Sequence, residues 1–451
     1  MMRANAGGRD GLAPKIGLFP LTNIVVANMI GAGIFTTSGL LMRDLGDPRV
    51  MLGLWAVGGL IALCGALAYG ELGAAIPRAG GEYAFLSELY HPLLGFLSGW
   101  ASFFVGFSAP IAASAIGFSA YFMRAVPGLP DSAFVRKGLA CLVILLFTSI
   151  HARGIELGAR VQNVLTVAKV VLIGGLIAAG LASGNGHWSH FAQGGGFRLD
   201  FAGLKSAGLA LMWIMFAYSG WNASAYIGSE VRQPAKTLPR SLILGTGIVI
   251  LLYAGLNLFF LYALSPAEMS GVISVGGLAA GKLFGPSFET VLSLLISFAL
   301  FSSLSAFIIL GPRVYYSMAR DGYFFKSLAK VHPVLGAPSR AVALQGFIAM
   351  VIVVSGSFDQ ILTYMGFSLG LFPLFAVLGV FKLRKRGMCV TRMPGYPVAP
   401  AIYLFAGAAI LVLGFLQSPG PSGVALLTMA AGIPAFYFFR KRGKVGSKNE
   451  T

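Results

Sequence analysis

The 451-residue chain is 57% hydrophobic and only 11% charged, with a mean hydropathy of +0.80. Soluble proteins carry roughly 25% charged residues, so these values exclude both a soluble globular domain and a disordered chain and predict an all-α polytopic membrane protein. A net charge of +18 would suggest nucleic acid as the partner of a soluble domain; the distribution of that charge decides against it.

Residues 1–16 form a short polar leader. Apolar stretches long enough to cross about 30 Å of hydrocarbon follow near 17–41, 50–77, 92–123, 138–152, 161–183, 206–229, 241–264, 287–312, 341–356, 360–381, 400–417 and 422–439. Twelve spans are predicted. With both termini on the cytoplasmic face, 24 of the 33 Lys and Arg fall in inner segments and 8 in outer ones, Lys169 lying inside a span. That asymmetry is the positive-inside pattern, and the opposite orientation would reverse it. No small-residue cleavage site follows the first span, which therefore reads as a retained helix and not a signal peptide. Residues 184–205 are expected to form the largest outer loop, 382–439 the last two spans with a basic loop before them, and 440–451 a basic cytoplasmic tail. Cys64, Cys141 and Cys389 form no Cys-x-x-Cys pair, so neither a disulfide framework nor a metal site is indicated.

Two spans are interrupted at matched places, one by Ile30-Gly31-Ala32-Gly33-Ile34 and the other by Ala217-Tyr218-Ser219-Gly220-Trp221-Asn222. An unpaired backbone group in hydrocarbon costs several kcal/mol, so a membrane helix loosens only where protein or a watery cavity surrounds it. Matched breaks in two halves point to a solute site at mid-membrane. Gly31 and Gly33 would release amides at the start of a half-helix, whose positive dipole end suits a carboxylate. Carbonyls from Phe216 to Ser219 would accept from an ammonium group. The pair describes an α-amino acid zwitterion. The plainer alternative is a Gly-x-Gly packing notch and a simple kink at Ser219-Gly220.

Several motifs carry a family resemblance: Asn28-Met29-Ile30-Gly31-Ala32-Gly33-Ile34-Phe35; Tyr69-Gly70-Glu71-Leu72 with Pro77-Arg78-Ala79-Gly80-Gly81-Glu82-Tyr83; Phe216 to Asn222 with Glu230-Val231, Pro234 and Leu238-Pro239-Arg240; and Ala319-Arg320-Asp321-Gly322 before Pro338. In this order and spacing they resemble the amino acid–polyamine–organocation transporters, most closely the L-type amino acid transporter branch. The resemblance covers nearly the whole chain. It implies a LeuT-like five-plus-five inverted repeat, 17–183 against 206–381, with discontinuous first and sixth helices, two peripheral helices and alternating access.

Lys169 lies about eight residues into the fifth span, roughly 12 Å along it, where a charge costs about 3 kcal/mol or more. The pattern Arg160-Val161-Gln162, Thr166, Lys169 matches the place where, by resemblance, an ammonium substitutes for the sodium ion of related carriers. It would tie the first break to hydroxyls of the eighth span, Ser302 and Ser303. Burial disfavours a charged lysine, so the group could also load and release a proton; snorkelling to the interface is the alternative. Phe216 occupies the family's aromatic gate position. Asn222 stands where the arginine-exchanging branch tends to carry a glutamate, and this neutral amide, with no acid in the third span, argues against a cationic substrate. Ser108, Pro110, Ile111 and Ala113 would border the side-chain pocket by analogy, or else simply pack.

Glu71, Arg78, Glu82 and Arg240 are expected as an inner electrostatic latch or as solvated loop charges. Lys382, Arg384, Lys385, Arg386 and Arg392, like Arg440, Lys441 and Arg442, would fix topology and touch anionic lipid. The outer loop 124–137 lacks the cysteine by which animal members bind a heavy chain, so no disulfide-linked heavy chain is expected; a monomer or homodimer in a bacterial inner membrane fits. No cofactor is implied. The histidines His91, His151, His187, His190 and His332 lie in loops or at span ends, and no His-Glu-x-x-His or Gly-x-Ser-x-Gly motif occurs, so catalysis is not expected. The reading is a sodium-independent carrier of neutral amino acids, by exchange or proton coupling. Its alternatives are a carrier of cationic amino acids or polyamines and a sensor using the same pocket.

Overall fold

The computed structural model describes residues 14–126, 128, 130, 132–153, 155–272, 274–332, 338–355 and 358–448. Among them the chain is helical throughout, with no strand and only two isolated backbone bridges, Ile16 to Val231 and Ala79 to Ile227. The first half holds α1 (Leu18–Met29), α2 (Ala32–Leu45), α3 (Pro48–Ala75), α4 (Glu82–Leu89), α5 (Pro92–Ala101), α6 (Ser108–Ala125), α7 (Ala133–Ala152) and α8 (Ile155–Ala182). The second holds α9 (Phe201–Ala217), α10 (Pro234–Ala263), α11 (Pro266–Met269), α12 (Val275–Phe284), α13 (Pro286–Arg320), α14 (Ser339–Ser355) and α15 (Phe358–Lys385). At the end come α16 (Val398–Gln417), α17 (Pro419–Ala430) and α18 (Gly432–Lys448).

Ten stretches among the described residues are long and apolar enough to cross a membrane. Two expected spans fall short of that length. α14 has 17 residues, and the span predicted over 206–229 is α-helical only as far as Ala217. Beyond that point the chain runs through two 3-10 turns, Ala223–Tyr226 and Gly228–Glu230, before α10 begins. Conversely, α13 continues eight residues past its expected end, to Arg320. Pro312 removes one rung of its ladder without ending it, and in the same turn the Arg313 side chain donates to the Ile309 carbonyl at 2.6 Å.

Exposed apolar side chains lie at helical spacing on the outer elements: Leu142, Leu145 and Leu146 on α7, and Val164, Val167 and Val171 on α8. Such stripes would be a liability in water and are the natural surface toward lipid. Inside, α1, α2 and α9 are packed among α3, α6, α10 and α13. The two most extensive helix contacts pair α3 with α10 and α6 with α13.

At one end of the bundle the chain is tied together by main-chain bonds. Ile16 N–H donates to the Glu230 carbonyl and Arg232 N–H to that of Ile16, at 2.8 and 2.9 Å. Gly80 N–H donates to the Tyr226 carbonyl, also at 2.9 Å. Arg78 and the Tyr83 hydroxyl both reach Asp321 at the end of α13, and the Arg313–Glu230 pair is buried beside them at 3.0 Å.

The expected latch residues thus divide. Arg78 engages Asp321, and Arg240 is exposed. Glu71, whose side chain is fully buried, holds Arg384 through two bonds of 2.7 Å and accepts the Met393 amide at 2.9 Å. Arg384 is therefore part of a protein clamp and not a free lipid contact.

Candidate functional site

Both breaks are present, and they meet. α1 ends at Met29, Ile30 leaves the helix, and Gly31 is extended before α2 begins at Ala32. No side chain caps the N-terminus of α2, so the amides of its first turn, which lack intrahelical acceptors, open onto a small cavity lined by Gly31, Ala32 and Gly33 together with Pro110, Ala113 and Ala217. The break is shorter than the five residues expected, since Gly33 and Ile34 are already helical.

Close approach explains the glycines. A Cβ on Gly33 would stand 2.7 Å from the Ala217 Cα, inside any permitted contact. Gly220, with φ +99°, is in the left-handed region that glycine alone adopts easily, and a Cβ there would lie 2.6 Å from that of Asn28. Each break is thus seated on the other.

Three polar side chains hold this arrangement. The ammonium of Lys169, from α8, donates to the Ala27 carbonyl at 3.2 Å and to that of Ile30 at 2.5 Å, filling the end of α1 with positive charge as a helix C-terminus favours. The Tyr253 hydroxyl of α10 lies 2.5 Å from the Met29 carbonyl and 2.8 Å from that of Ala217, its single proton shared between the two breaks. Asn28 donates to Ile24 at 2.9 Å, while its Oδ1 is buried without a partner and its side chain borders both cavities.

A larger cavity, about 1060 Å³ with its open mouth included, runs from Asn28 and the α9 break toward α5, α15 and α16. Phe216, Ser219 and Phe307 line this cavity and the small one alike, so the two aromatic rings stand at their junction. Residues 102–106, which line part of it, form a widened π-helical turn between α5 and α6; such turns loosen a helix where side chains must be re-aimed. The Ser108 hydroxyl closes the turn by donating to the Phe103 carbonyl at 2.9 Å.

The cavity also receives a carboxylate. Glu82, at the start of α4, is 3% exposed; its Oε1 accepts from the Asn222 amide at 2.6 Å and from the Tyr69 hydroxyl at 2.7 Å. The third span contains no acid, as expected, but the short helix α4 preceding it delivers one to Asn222.

The family described as Amino acid permease matches over residues 16–436. The chain belongs to that family. It is 28% identical over 446 residues to the Asc-type amino acid transporter 1 of Mus musculus, covering 97% of this chain and 84% of that protein. It is 29% identical over 443 residues to the serine/threonine exchanger SteT of Bacillus subtilis, covering 96% and 98%. With the large neutral amino acids transporter small subunit 2 of Homo sapiens it shares 28% over 441 residues, covering 96% and 82%. The permease is accordingly an L-type member of the amino acid–polyamine–organocation transporters.

The structure brings most of the expected site residues in this permease to the cavities: Gly31, Ala32, Gly33, Pro110, Ala113 and Ala217 to the small one, Gly220 and Asn222 to the large one, Phe216 and Ser219 to both. Ile30 contributes its carbonyl to Lys169. Ile34 is fully buried away from both, Ile111 likewise, and the Tyr218 hydroxyl donates outward to the Trp55 carbonyl at 3.3 Å. Ser108 serves the π turn. Ser302 pairs with Thr166 at 3.3 Å, and Ser303 donates to Leu300 while its side chain faces Gly31. Among the described residues neither hydroxyl bonds Lys169. Asn28 and Tyr253 stand at this site without having been assigned to it from the sequence, and Glu82, expected in an inner latch or as a solvated loop charge, borders the cavity instead; Asn28 left a local trace, a polar side chain in an apolar span two residues before the break.

Proposed function

We propose that this permease is a sodium-independent secondary transporter of neutral L-amino acids, working by alternating access as an exchanger or proton-coupled carrier. One observation carries the reading: an uncapped helix N-terminus and the C-terminal end of α9 face the same small cavity, with the unpartnered Asn28 Oδ1 between them. The amides of α2 suit a carboxylate, and the α9 carbonyls with Asn28 suit an ammonium. The side chain would extend past Phe216 into the larger cavity.

Several features support the remaining elements of this proposal. Twelve spans follow if α9 with its irregular continuation and α14 each cross once. In a five-plus-five repeat, α3 corresponds to α10 and the α5–α6 span to α13, so the two most extensive helix contacts join counterparts of the two halves, as a pseudo-two-fold requires. Lys169 places its amino group, bonded to the Ala27 and Ile30 carbonyls, where a sodium ion would otherwise sit. The charge asymmetry places both termini in the cytoplasm and the end bearing the Arg78–Asp321 contact with them; a bacterial inner (plasma) membrane accords with the Bacillus relative. The names of the relatives, serine/threonine and large neutral amino acids among them, support neutral substrates. No disulfide-linked subunit is needed, and the unit is a monomer or homodimer.

Counterflow of labelled serine, alanine or leucine into proteoliposomes, with and without sodium, tests the reading. Saturable counterflow unaffected by sodium is expected; a strict sodium requirement, or binding without movement of solute, sinks it. The carboxylate of Glu82 favours one second reading, a carrier of cationic amino acids or polyamines. Lysine, arginine and a diamine in the competitor panel decide between them.

A further inference from the structure

Glu82 has no role in the mechanism just described. Its carboxyl is almost wholly withdrawn from solvent yet borders the substrate cavity, and among the described residues no Lys, Arg or His pairs with it. The titratable groups facing it are phenols: Tyr69 from α3, Tyr226 from the irregular segment after α9, and Tyr403 from α16. The cations on neighbouring elements are held elsewhere. Arg78 is on Asp321, Arg313 on Glu230, Arg384 on Glu71, Lys382 over the Tyr90 ring and Arg386 on the Glu88 carbonyl.

A buried carboxylate without a cation is neutralised most simply by a proton. Burial pushes the Glu82 carboxyl above its ordinary range, and donated bonds from Tyr226, Tyr69 and Asn222 act against that shift.

We propose that Glu82 is the proton-binding group that couples a pH gradient to transport, its protonation state being read at the substrate site through Asn222. The inference rests on the transport reading above. The chemistry is a single proton transfer: a proton from one aqueous face adds to a carboxylate oxygen and is later released to the other face. Once protonated on Oε2, the carboxyl keeps Oε1 as an acceptor but loses the charge that strengthened the bonds from Asn222 and Tyr69. The weakened bond releases the NH₂ group of Asn222, which lies on the wall of the cavity just beyond the break. Glu82 thereby links a proton to the geometry around Ser219 and Gly220, with no ion pair to be broken.

The test uses full-length protein in proteoliposomes. In wild type, an acidic exterior should drive net uptake of a neutral amino acid several-fold above the level without a gradient. In Glu82→Gln, whatever counterflow remains should lose its dependence on pH, and gradient-driven uptake should fall to the ungraded level; Glu82→Asp should keep the response with a displaced midpoint. A Gln variant that still responds to the gradient overturns the proposal, as does a wild type that shows counterflow but no response to pH. Loss of competition by lysine in the Gln variant, with the pH response intact, also overturns it and makes Glu82 a substrate-charge reader. A wild type with no counterflow at all fails at the earlier step, the transport reading itself. Should the Gln variant not fold, substrate-induced proton uptake or release by wild type in weakly buffered detergent, followed with an indicator dye, decides: a proton change supports the proposal and its absence overturns it.

Discussion

Lys169 has two acceptors, both main-chain carbonyls at the end of α1. Lys169→Ala leaves these carbonyls without a donor in a buried site, where an unsatisfied group costs about 1–3 kcal/mol. Counterflow is expected to drop at least tenfold while the variant still elutes as a single species in detergent; retained transport would show the ammonium to be dispensable. Asn28→Ala removes a buried acceptor that borders both cavities and that no protein group satisfies, and the half-saturation concentration for a neutral amino acid should rise about tenfold, the equivalent of about 1.4 kcal/mol. Tyr253→Phe deletes the hydroxyl between the two breaks without changing ring packing. It should lower both apparent melting temperature and transport, whereas loss of stability alone would reduce Tyr253 to a structural tie. The sequence displayed Lys169 because a lone charge in an apolar span is conspicuous. Tyr253 was invisible, since a tyrosine in an apolar helix has no signature until its distant carbonyls are known.

At the level of helices, the interruptions were legible because glycine and polar residues in membrane helices demand a reason, and both stretches proved to be breaks. Their extents were not. Gly33 is helical, its absent side chain serving contact with Ala217, whereas the irregular stretch after Ala217 outlasts the expected span. Gly220→Ala combines a left-handed backbone, costing a side-chain residue about 1–2 kcal/mol, with a contact against Asn28 that cannot be accommodated. Transport should be abolished in counterflow, more severely than by Gly53→Ala on α3, where nothing lies within 4 Å. The π turn at 102–106 also escaped the sequence, because Ser-Phe-Phe-Val-Gly carries no local mark of it. Its consequence is that the third span meets the large cavity through Ser102 and Val105, not through Ser108.

Across the whole molecule, the tied end of the bundle combines contacts of unequal worth. The Arg313–Glu230 pair is 4% and 3% exposed; removing one partner strands a buried charge and costs about 3–5 kcal/mol. Glu230→Gln or Arg313→Met alone should lower the apparent melting temperature in detergent more than the double substitution does. Arg78–Asp321 is 44% and 31% exposed, a class of pair worth about 0.2–1 kcal/mol. Arg78→Ala should therefore leave stability nearly unchanged while speeding thiol labelling of Ser102→Cys from that end. Glu230, Arg78 and Asp321 were visible in the motifs and Arg313 was not; the partners lie more than 80 residues apart, and charge patterning alone cannot choose among them. Glu71 and Arg384 show the same gap: one belonged to an expected latch, the other to a basic cluster, and folding joins them.

The main-chain bonds between Ile16 and residues 230–232 have a practical corollary. They stitch the beginning of the polypeptide onto the segment that follows the α9 break. Under the alternating access proposed above, this seam lies at the end that would open, so a fluorescent fusion ahead of residue 14 would sense the opening and a reporter at the carboxyl end would leave the seam untouched.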